Sequence, residues 1–392
     1  MPKQRKIVRT KNLYKIKKPK KKLVGTIMFI FVLLLLVALG FIVSKEWAKR
    51  FGKDAPVSSH QSVKPPVNSS TKTETSSGVS SSESSKPNTP QIVDVKATAI
   101  PYEIINSANQ KTFLEKAKTD GYNSIYIPIK NNDGIVLFNT TNEMAKKYGA
   151  ISPKPFDLAK LIADIKTAGL KPVAQISALK DNKAAHTRNE NSYAFGTTTN
   201  VNWLDDAFAN GGKAWLNPYM DNTRKYIGDI TGEVATAGVE AIVLENVMFP
   251  DKNVSQINKL NKNKPEAEIL SQLVTEAQTA AKTVPVYYGF NAVSVVIHSD
   301  YKATFADVKT ENIAPQIDLA NIRKNKNAII KKLYPDNKEA INKTELEITK
   351  DLINFATKDM TKKVFPILIN NDFETLKPIL NELKIGDYAI NK

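Results

Sequence analysis

Cysteine is absent from the 392-residue chain, and histidine is nearly absent. The lack of cysteine excludes disulfide bonds, thiol nucleophiles, thiolate zinc sites and a lipid-modified N-terminal cysteine. Of the three histidines, His60, His186 and His298, the first lies in a linker-like stretch. Three histidines, one of them in the linker, support neither a histidine-rich metal site nor a serine triad. We therefore expect no metal and no organic cofactor, and ordinary loop or surface positions for His186 and His298.

Acidic residues are missing from the N-terminal end, which carries most of the net charge of +17. Residues 1–22 hold eleven Lys or Arg and therefore contribute +11, and residues 45–90 add +3. All other positions together carry only +3. Binding to nucleic-acid phosphates usually needs a concentrated basic face, so a nearly neutral body argues against a nucleic-acid partner.

Charged residues are also missing from residues 23–44, a mostly apolar stretch of 22 residues. As a helix it would be about 33 Å long, enough to cross a hydrocarbon core of about 30 Å. The basic run before it predicts a cytoplasmic N-terminus and an extracellular remainder. A cleaved signal peptide is the alternative, but the run exceeds the usual ~7–15 apolar residues and no clear Ala-x-Ala site follows. The sequence therefore predicts a single-pass membrane protein.

The composition changes again after the apolar stretch. Residues 45–90 form a linker rich in Ser, Thr and Pro that cannot bury enough apolar surface to offset the entropy of ordering it. We expect a disordered stalk that holds a folded domain, residues 91–392, near the membrane.

Within residues 91–392, short β-rich runs alternate with longer segments of helical period, such as the one containing Leu158, Leu161, Ile162 and Ile165. Helices inserted between buried strands imply parallel pairing, and eight units favour a (β/α)8 TIM barrel of the α/β class. No glycine-rich phosphate loop follows the first run, which argues against an open dinucleotide-binding sheet. The β-rich runs are 93–100, 124–130, 172–178, 239–246, 284–291, 313–318, 364–370 and 387–391.

Polar side chains stand at the carboxyl ends of several of these strands. Side chains alternate along a strand, so Glu245 shares the inward face with Ala241 and Val243 and lies where barrel enzymes place their chemistry. The same alternation points Tyr126, Pro128 and Lys130 inward and groups Gln175 with Ser177 and Gln316 with Asp318. The candidate site is therefore Lys130, Ser177, Glu245 and Asp318, with Asn291 and Asn370. The alternative is a buried network that satisfies only itself, such as a Lys130–Glu245 ion pair.

Glu245 and Asp318 are the two carboxylates at the strand ends. Glycoside hydrolysis needs two such groups, one to protonate the leaving oxygen and one to attack or to activate water. Lys130 beside them would hold one carboxylate ionised and leave the other as the acid. Four aromatic residues after the third strand either stack on sugar rings or pack the loop itself: Tyr193, Trp203, Trp215 and Tyr219.

Several blocks carry a family resemblance. They are residues 123–133, Lys180-Asp181, Trp215-Leu216-Asn217-Pro218-Tyr219, 245–250 and Ala314-Pro315. Their order and spacing resemble a glycoside-hydrolase-type TIM-barrel family of Gram-positive envelope proteins across nearly all of residues 91–392. The family pattern Phe-Asp-Tyr-Ile-Arg-Phe-Pro at the fourth strand puts its acidic position on Glu245 and its Arg on Met248. The resemblance implies a carbohydrate-acting barrel with substrate-binding residues at Lys130, Asp181, Trp215, Asn217, Tyr219, Tyr288, Asn291 and Asn321.

The chain departs from that family at three strands. At the second strand, family members have a segment that resembles Ile-Asp-Val-Lys-Asp. This chain has Ile127-Pro128-Ile129-Lys130-Asn131 there, so it keeps the lysine but lacks both acids. The family's Ser-Ala-Asp falls within residues 286–288, which contain no acid, and its Pro-Met-x-Tyr-Pro-Ser-His becomes residues 315–321. The resemblance thus implies a divergent member, in which either Asp318 compensates at a different place or the barrel keeps the sugar-binding shape without turnover.

These observations support two functions. One is a membrane-anchored, extracellular glycoside hydrolase acting on cell-wall or envelope polysaccharide, with catalytic residues Glu245 and Asp318. The other is a catalytically inactive carbohydrate-binding or scaffold module of the envelope. Deacetylation by a metal site needs His and Asp ligands that the sequence does not supply.

Overall fold

The computed structural model describes residues 94–187, 190–297, 307–357, 363–369 and 373–391. Several predicted features lie outside the described residues: the basic tail 1–22, the membrane-spanning helix 23–44, the linker 45–90, His298 and Asn370. Over the described ranges, none of the helices combines the length and the apolar character needed to cross a membrane.

Eight parallel strands of the described residues form a closed ring. The order around the ring is β1, β2, β5, β7, β9, β10, β12 and β13, and β13 pairs back onto β1 with Ala389 beside Ala97. The ring strands are β1 (Lys96–Ala99), β2 (Ser124–Lys130), β5 (Lys171–Ser177), β7 (Ala241–Glu245), β9 (Val286–Asn291), β10 (Asn312–Ile317), β12 (Ile367–Ile369) and β13 (Tyr388–Asn391). The predicted TIM barrel is confirmed, and the open sheet is excluded because both edges of the sheet are paired.

Shorter strands and the helices complete the chain. β11 (Lys363–Val364) precedes β12 and also pairs with β10, whereas β3 (Val136–Phe138) and β4 (Ile151–Phe156) extend the sheet from β2. β6 (Ala194–Phe195) and β8 (Ile257–Asn258) form a separate antiparallel ribbon. The described helices are α1 (Gln110–Thr119), α2 (Glu143–Lys147), α3 (Leu158–Thr167), α4 (Asp221–Thr236), α5 (Glu266–Ala281), α6 (Ala292–Ile297), α7 (Leu319–Lys324), α8 (Lys326–Leu333), α9 (Glu345–Thr357) and α10 (Phe373–Glu382).

The alternation of side chains divides the core into two layers. Ala97, Val173, Ala241, Val243 and their neighbours fill the barrel interior together with the rings of larger residues, Tyr126, Tyr287 and Phe365. The intervening residues, such as Ile125, Ile127, Ile242 and Leu244, belong to the layer between the strands and the helices. Small and branched side chains suit the narrow interior, and long aliphatic ones fill the gap to the helices.

Helix α3 shows why these helices form where the sequence predicts them. Asp157 precedes the helix, and its side chain accepts a hydrogen bond from the backbone N–H of Lys160, which caps the first turn. Leu158, Leu161, Ile162 and Ile165 are all buried against the sheet. Their spacing places them on one face of the helix, which is the face that packs on the barrel.

An irregularity in β2 changes the orientation of Lys130. Pro128 lies beside Gln175, but Lys130 lies beside Ile176, so the pairing shifts by one residue between them. Ile176 faces the helices, and Lys130 therefore turns to the same side. The predicted inward orientation of Lys130 is wrong, because one extra residue in a strand reverses the faces that follow it.

Lys130 forms a buried ion pair with Asp181. Its Nζ lies 2.9 Å from Asp181 Oδ2, both side chains are fully buried, and it also donates to the backbone oxygen of Ser177 at 2.6 Å. The ring of Tyr226 on α4 lies 6.0 Å from the same ammonium. Burial lowers the pKa of Lys130, although the charge of Asp181 opposes this change. The Lys130–Glu245 ion pair that the sequence left open is thus replaced by a pair outside the barrel wall.

The loop after β2 packs its backbone directly against this pair. Gly134 has a φ of +86°, and its N–H donates to the backbone oxygen of Asn131 at 3.0 Å. A Cβ atom at this position would lie 1.8 Å from Asp181 Oδ1. The close approach of the loop to Asp181 therefore requires glycine.

We predict that Gly134→Ala destabilises the protein far more than Gly121→Ala. Gly121 has nearly the same φ, +87°, but a Cβ atom added there would meet nothing within 4 Å, so it serves as the matched control. Both variants lose about 1–2 kcal/mol from the left-handed backbone. Gly134→Ala additionally meets Asp181, which adds about 1–3 kcal/mol of overpacking. Urea unfolding measures both losses, and equal values would contradict the close contact.

Candidate active site

Glu245 lies in the barrel interior at the end of β7 and is 2% exposed. The hydroxyl of Tyr126 donates to Oε1 at 2.9 Å, and Nε2 of Gln175 donates to Oε2 at 2.7 Å. The side chain of Gln316 also hydrogen-bonds to this carboxyl group. The three partners stand on β2, β5 and β10, so Glu245 joins four strands of the ring across its interior.

The surroundings of Glu245 shift its acidity. Burial raises its pKa above the usual range, and the hydrogen bonds from Gln175, Tyr126 and Gln316 only partly offset that effect. Burial, and then the charge of Glu245, also raise the pKa of Tyr126 well above its ordinary value. A carboxyl group that keeps its proton to higher pH is suited to protonate a leaving group.

Asp318 follows β10 and caps helix α7. Its Oδ1 accepts hydrogen bonds from the backbone N–H groups of Ala320 at 2.9 Å and Asn321 at 3.2 Å. Asn321 Nδ2 lies 3.5 Å from Asn291 Oδ1, which also accepts from the backbone N–H of Ser294. The structure thus brings the predicted residues Asn291, Asp318 and Asn321 together at the ends of β9 and β10. Gln316, which contacts Glu245, pairs in register with Asn291 and links the two groups.

Three other predicted residues build the core of the insertions after β5 and β7. Trp215 donates from Nε1 to Asp205 Oδ2 at 3.0 Å, and Lys180 Nζ lies 5.7 Å from its ring. Asn217 Nδ2 donates to the backbone oxygen of Lys259, and the hydroxyl of Tyr219 donates to that of Lys264. Trp215, Tyr193 and Trp203 form one buried cluster, and the Tyr219 ring lies 5.9 Å from Phe249 at its edge. The sequence left two roles open for these aromatic residues, stacking on sugar rings or packing of the loop itself. The structure shows them packed in the insertions.

The remaining predicted residues lie between the barrel and its helices. Tyr288 belongs to the outer layer, 1% exposed, with its ring centre 5.1 Å from that of Phe290. Lys130 and Asp181 occupy the buried pair described above, where Asp181 Oδ1 also accepts from the backbone N–H of Ala184. None of these three side chains faces the barrel interior. His186 is exposed in the loop after β5, as expected.

A cavity of about 450 Å³ opens at the carboxyl ends of the strands. Tyr126 and Gln175, which hold Glu245, form part of its wall, together with Asn131, Asn391 and Glu103. The apolar surfaces of Phe113 and Leu137 line it as well. The volume falls within the range of about 300–1,000 Å³ that is typical of small-molecule sites. Glu245 therefore lies directly behind the wall of a ligand-sized cavity.

The alternation of side chains correctly predicts the inward orientation of Tyr126, Gln175 and Gln316, although they are not among the predicted site residues, and neither is Glu103. Glu103 lies in the short 3-10 helix Tyr102–Ile104 that follows β1, and its side chain is exposed. Its place just beyond a barrel strand, at the edge where Glu245 also lies, could have indicated it. In the described ranges, no group of three or more His, Asp or Glu side chains is positioned to hold a metal ion.

Comparisons with known proteins point to carbohydrate chemistry. A family model described as "Putative glycosyl hydrolase domain" matches residues 100–337, more than half of the chain. No curated protein matches.

Similar folds occur among solved structures. The catalytic domain of β-amylase from Paenibacillus polymyxa is 12% identical, with 77% of this chain and 93% of that chain covered and a TM-score of 0.47. An α-galactosidase from Thermus thermophilus is 9% identical, with 78% and 62% covered and a TM-score of 0.48. A hypothetical protein from Ruminiclostridium thermocellum is 18% identical, with 49% and 96% covered and a TM-score of 0.43. A family 20 β-N-acetylglucosaminidase is 9% identical, and the chain spans only 52% of its length. The barrel assignment itself rests on the strand pairing of this chain.

We predict that Glu245→Gln changes how stability depends on pH. The pKa of Glu245 is raised by folding, so its neutral form contributes stability below the unfolded value of about 4.3, and this contribution is lost as pH rises through the folded value. The unfolding free energy of the wild type should therefore fall relative to that of the variant as pH rises above about 4, by about 1.4 kcal/mol per unit of pKa increase. Urea unfolding across this range tests it, and a difference that does not vary with pH would refute the raised pKa.

Proposed function

The chain belongs to the family described as "Putative glycosyl hydrolase domain", and from this premise we propose that it is a membrane-anchored extracellular barrel that hydrolyses glycosidic bonds of cell-envelope polysaccharide. The observation that carries the proposal is the position of Glu245. This carboxyl group, with its raised pKa, lies at the carboxyl end of a barrel strand, directly behind the wall of the cavity.

In this mechanism Glu245 protonates the oxygen of the departing sugar. Asp318 is its proposed partner, which attacks the anomeric carbon or activates water. The two backbone N–H groups that bond to Asp318 Oδ1 fix the orientation of its carboxyl group. A sugar in the cavity reaches Glu245 only where Tyr126 or Gln175 gives up its hydrogen bond, because these two side chains separate the carboxyl group from the cavity.

The cellular setting of the proposal comes from the N-terminal part of the sequence. The basic residues 1–22 and the apolar residues 23–44 support an anchor with a cytoplasmic N-terminus. The Ser/Thr/Pro-rich residues 45–90 would keep the barrel near the membrane, where envelope polysaccharide is the nearest carbohydrate.

A second function, binding of envelope polysaccharide without turnover, is favoured by a specific observation. Glu245 is almost fully buried and already accepts hydrogen bonds from three side chains, and Asp318 serves as a helix cap. Both carboxyl groups therefore have structural partners. In this alternative the cavity would still bind sugar, and Glu245 would hold Tyr126 and Gln175 in position.

We predict that Glu245→Gln lowers the rate of hydrolysis of purified Gram-positive wall polysaccharide by about 10²–10⁴-fold, the usual contribution of a general acid. Asp318→Asn should lower the rate as well while leaving stability nearly unchanged, since Asn caps helices about as well as Asp. The release of reducing ends by the full-length chain measures both effects.

Glu240→Gln is the matched control for this assay. Glu240 is exposed at the opposite end of the same strand, so the variant should keep wild-type activity. Full activity of Glu245→Gln would overturn the acid role. Sugar binding by a wild type that releases no reducing ends would favour the second function.

A further inference from the structure

The cavity at the carboxyl ends of the strands carries a single full charge among its described lining residues. That charge is the carboxylate of Glu103, and the lining contains no Lys, Arg or His. Residues 91–392 hold 38 Lys and Arg against 35 Asp and Glu, so cations are not scarce in this domain. The absence of basic side chains is therefore a property of this cavity.

Two other cavities of the described structure differ in this respect. One of about 730 Å³ between α5 and the start of β10 is lined by Lys282 and Lys309 as well as by acids. Another of about 570 Å³ beside α1 and α3 is lined by Lys111, Lys118 and Lys160. Of these three cavities, the one next to Glu245 alone has a carboxylate and no basic residue among its described lining residues.

Glu103 is available to a ligand. Its side chain is exposed at the cavity wall and makes no hydrogen bond or ion pair with another described residue. By contrast, Asp318 caps α7 and Asp181 pairs with Lys130. The carboxyl group of Glu245 lies behind Tyr126 and Gln175, so an anion in the cavity would meet the carboxylate of Glu103 and no cation among the described lining residues.

The neutral part of the lining is suited to a sugar ring. Asn131 Oδ1 accepts from the backbone N–H groups of Asp133 and Ile135, and Gln175 Nε2 donates to Glu245, so Asn131 Nδ2 and Gln175 Oε1 are the amide atoms that can bond to sugar hydroxyls. Phe113 and Leu137 supply apolar surface for the C–H faces of a ring. These groups recognise carbohydrate in general. The negative charge of Glu103 additionally favours a sugar ring that carries a positively charged substituent.

We propose that this cavity binds a sugar unit with a free ammonium group, as in an amino sugar that lacks its N-acetyl group, and that Glu103 pairs with the ammonium. The inference rests on the proposed function and names its substrate class. Polymers with phosphate or carboxylate groups would be disfavoured, because their charge is repelled by Glu103 and finds no partner in the cavity.

The test compares three defined oligosaccharides as ligands of the full-length chain in detergent micelles, measured by calorimetry. They are the hexamer of glucosamine, the hexamer of N-acetylglucosamine and the hexamer of galacturonic acid. We expect the amine-bearing hexamer to bind about two- to fivefold more tightly than the N-acetylated one, as for an exposed ion pair, and the anionic hexamer to bind most weakly.

Glu103→Gln should bring the affinities for the amine-bearing and N-acetylated hexamers together while leaving the affinity for the N-acetylated one nearly unchanged. Glu115→Gln is the matched control, since Glu115 is exposed on α1 and lines the cavity beside α1 and α3. It should retain the preference of the wild type. The result separates a contact at Glu103 from general attraction of a cation to the protein.

Two results would overturn the inference, and they can be distinguished. Binding of the amine-bearing and N-acetylated hexamers without preference, or a preference that persists in Glu103→Gln, refutes the role of Glu103 but leaves the proposed carbohydrate function standing. Absence of binding to all three hexamers refutes the substrate class and counts against the proposed function as well.

Discussion

A carboxyl group buried without a cation is the constraint on which the site depends. Glu245 lies inside the closed ring, and among the described residues its carboxyl group is met by neutral donors on β2, β5 and β10. Each donor must lie level with the Glu245 carboxyl group along the barrel axis. The pairing register of several strands is therefore coupled to this one side chain. β9 also approaches closely here, since a Cβ atom at Gly289 would lie 2.6 Å from the backbone oxygen of Leu244. The geometry of the ring and the acidity of Glu245 therefore depend on each other.

The separation of Lys130 from Glu245 gives this arrangement its chemical character. An ammonium group beside Glu245 would favour the ionised carboxylate and lower its pKa. The irregularity of β2 instead directs Lys130 outward to Asp181, and the pKa of Glu245 remains raised. The buried ion pair joins the loops after β2 and β5, and the interior of the barrel is left to neutral polar groups. One shift in register thus places Lys130 in a buried ion pair with Asp181 and keeps its ammonium group away from Glu245.

The insertions after β5 and β7 show how a motif associated with a functional family can have a structural role. In the segment Trp215-Leu216-Asn217-Pro218-Tyr219, the indole, amide and hydroxyl groups each bond to a partner within the insertions. The aromatic rings pack on one another and on Phe249. The specificity of this motif therefore reflects the packing of the insertions.

The sequence by itself determined the barrel, because alternation along the strands and helical periodicity between them are local patterns that each segment carries. It also determined that Glu245 faces inward, together with Tyr126, Gln175 and Gln316, since each strand keeps its regular alternation as far as these residues. Tertiary structure alone decided the orientation of Lys130, because an extra residue in β2 is defined only by its pairing with β5. It also decided that Tyr288 and Asp181 are buried outside the barrel, and that Glu103 shares a cavity wall with the partners of Glu245. Such proximities arise when distant strands close into a ring, and no local pattern records them.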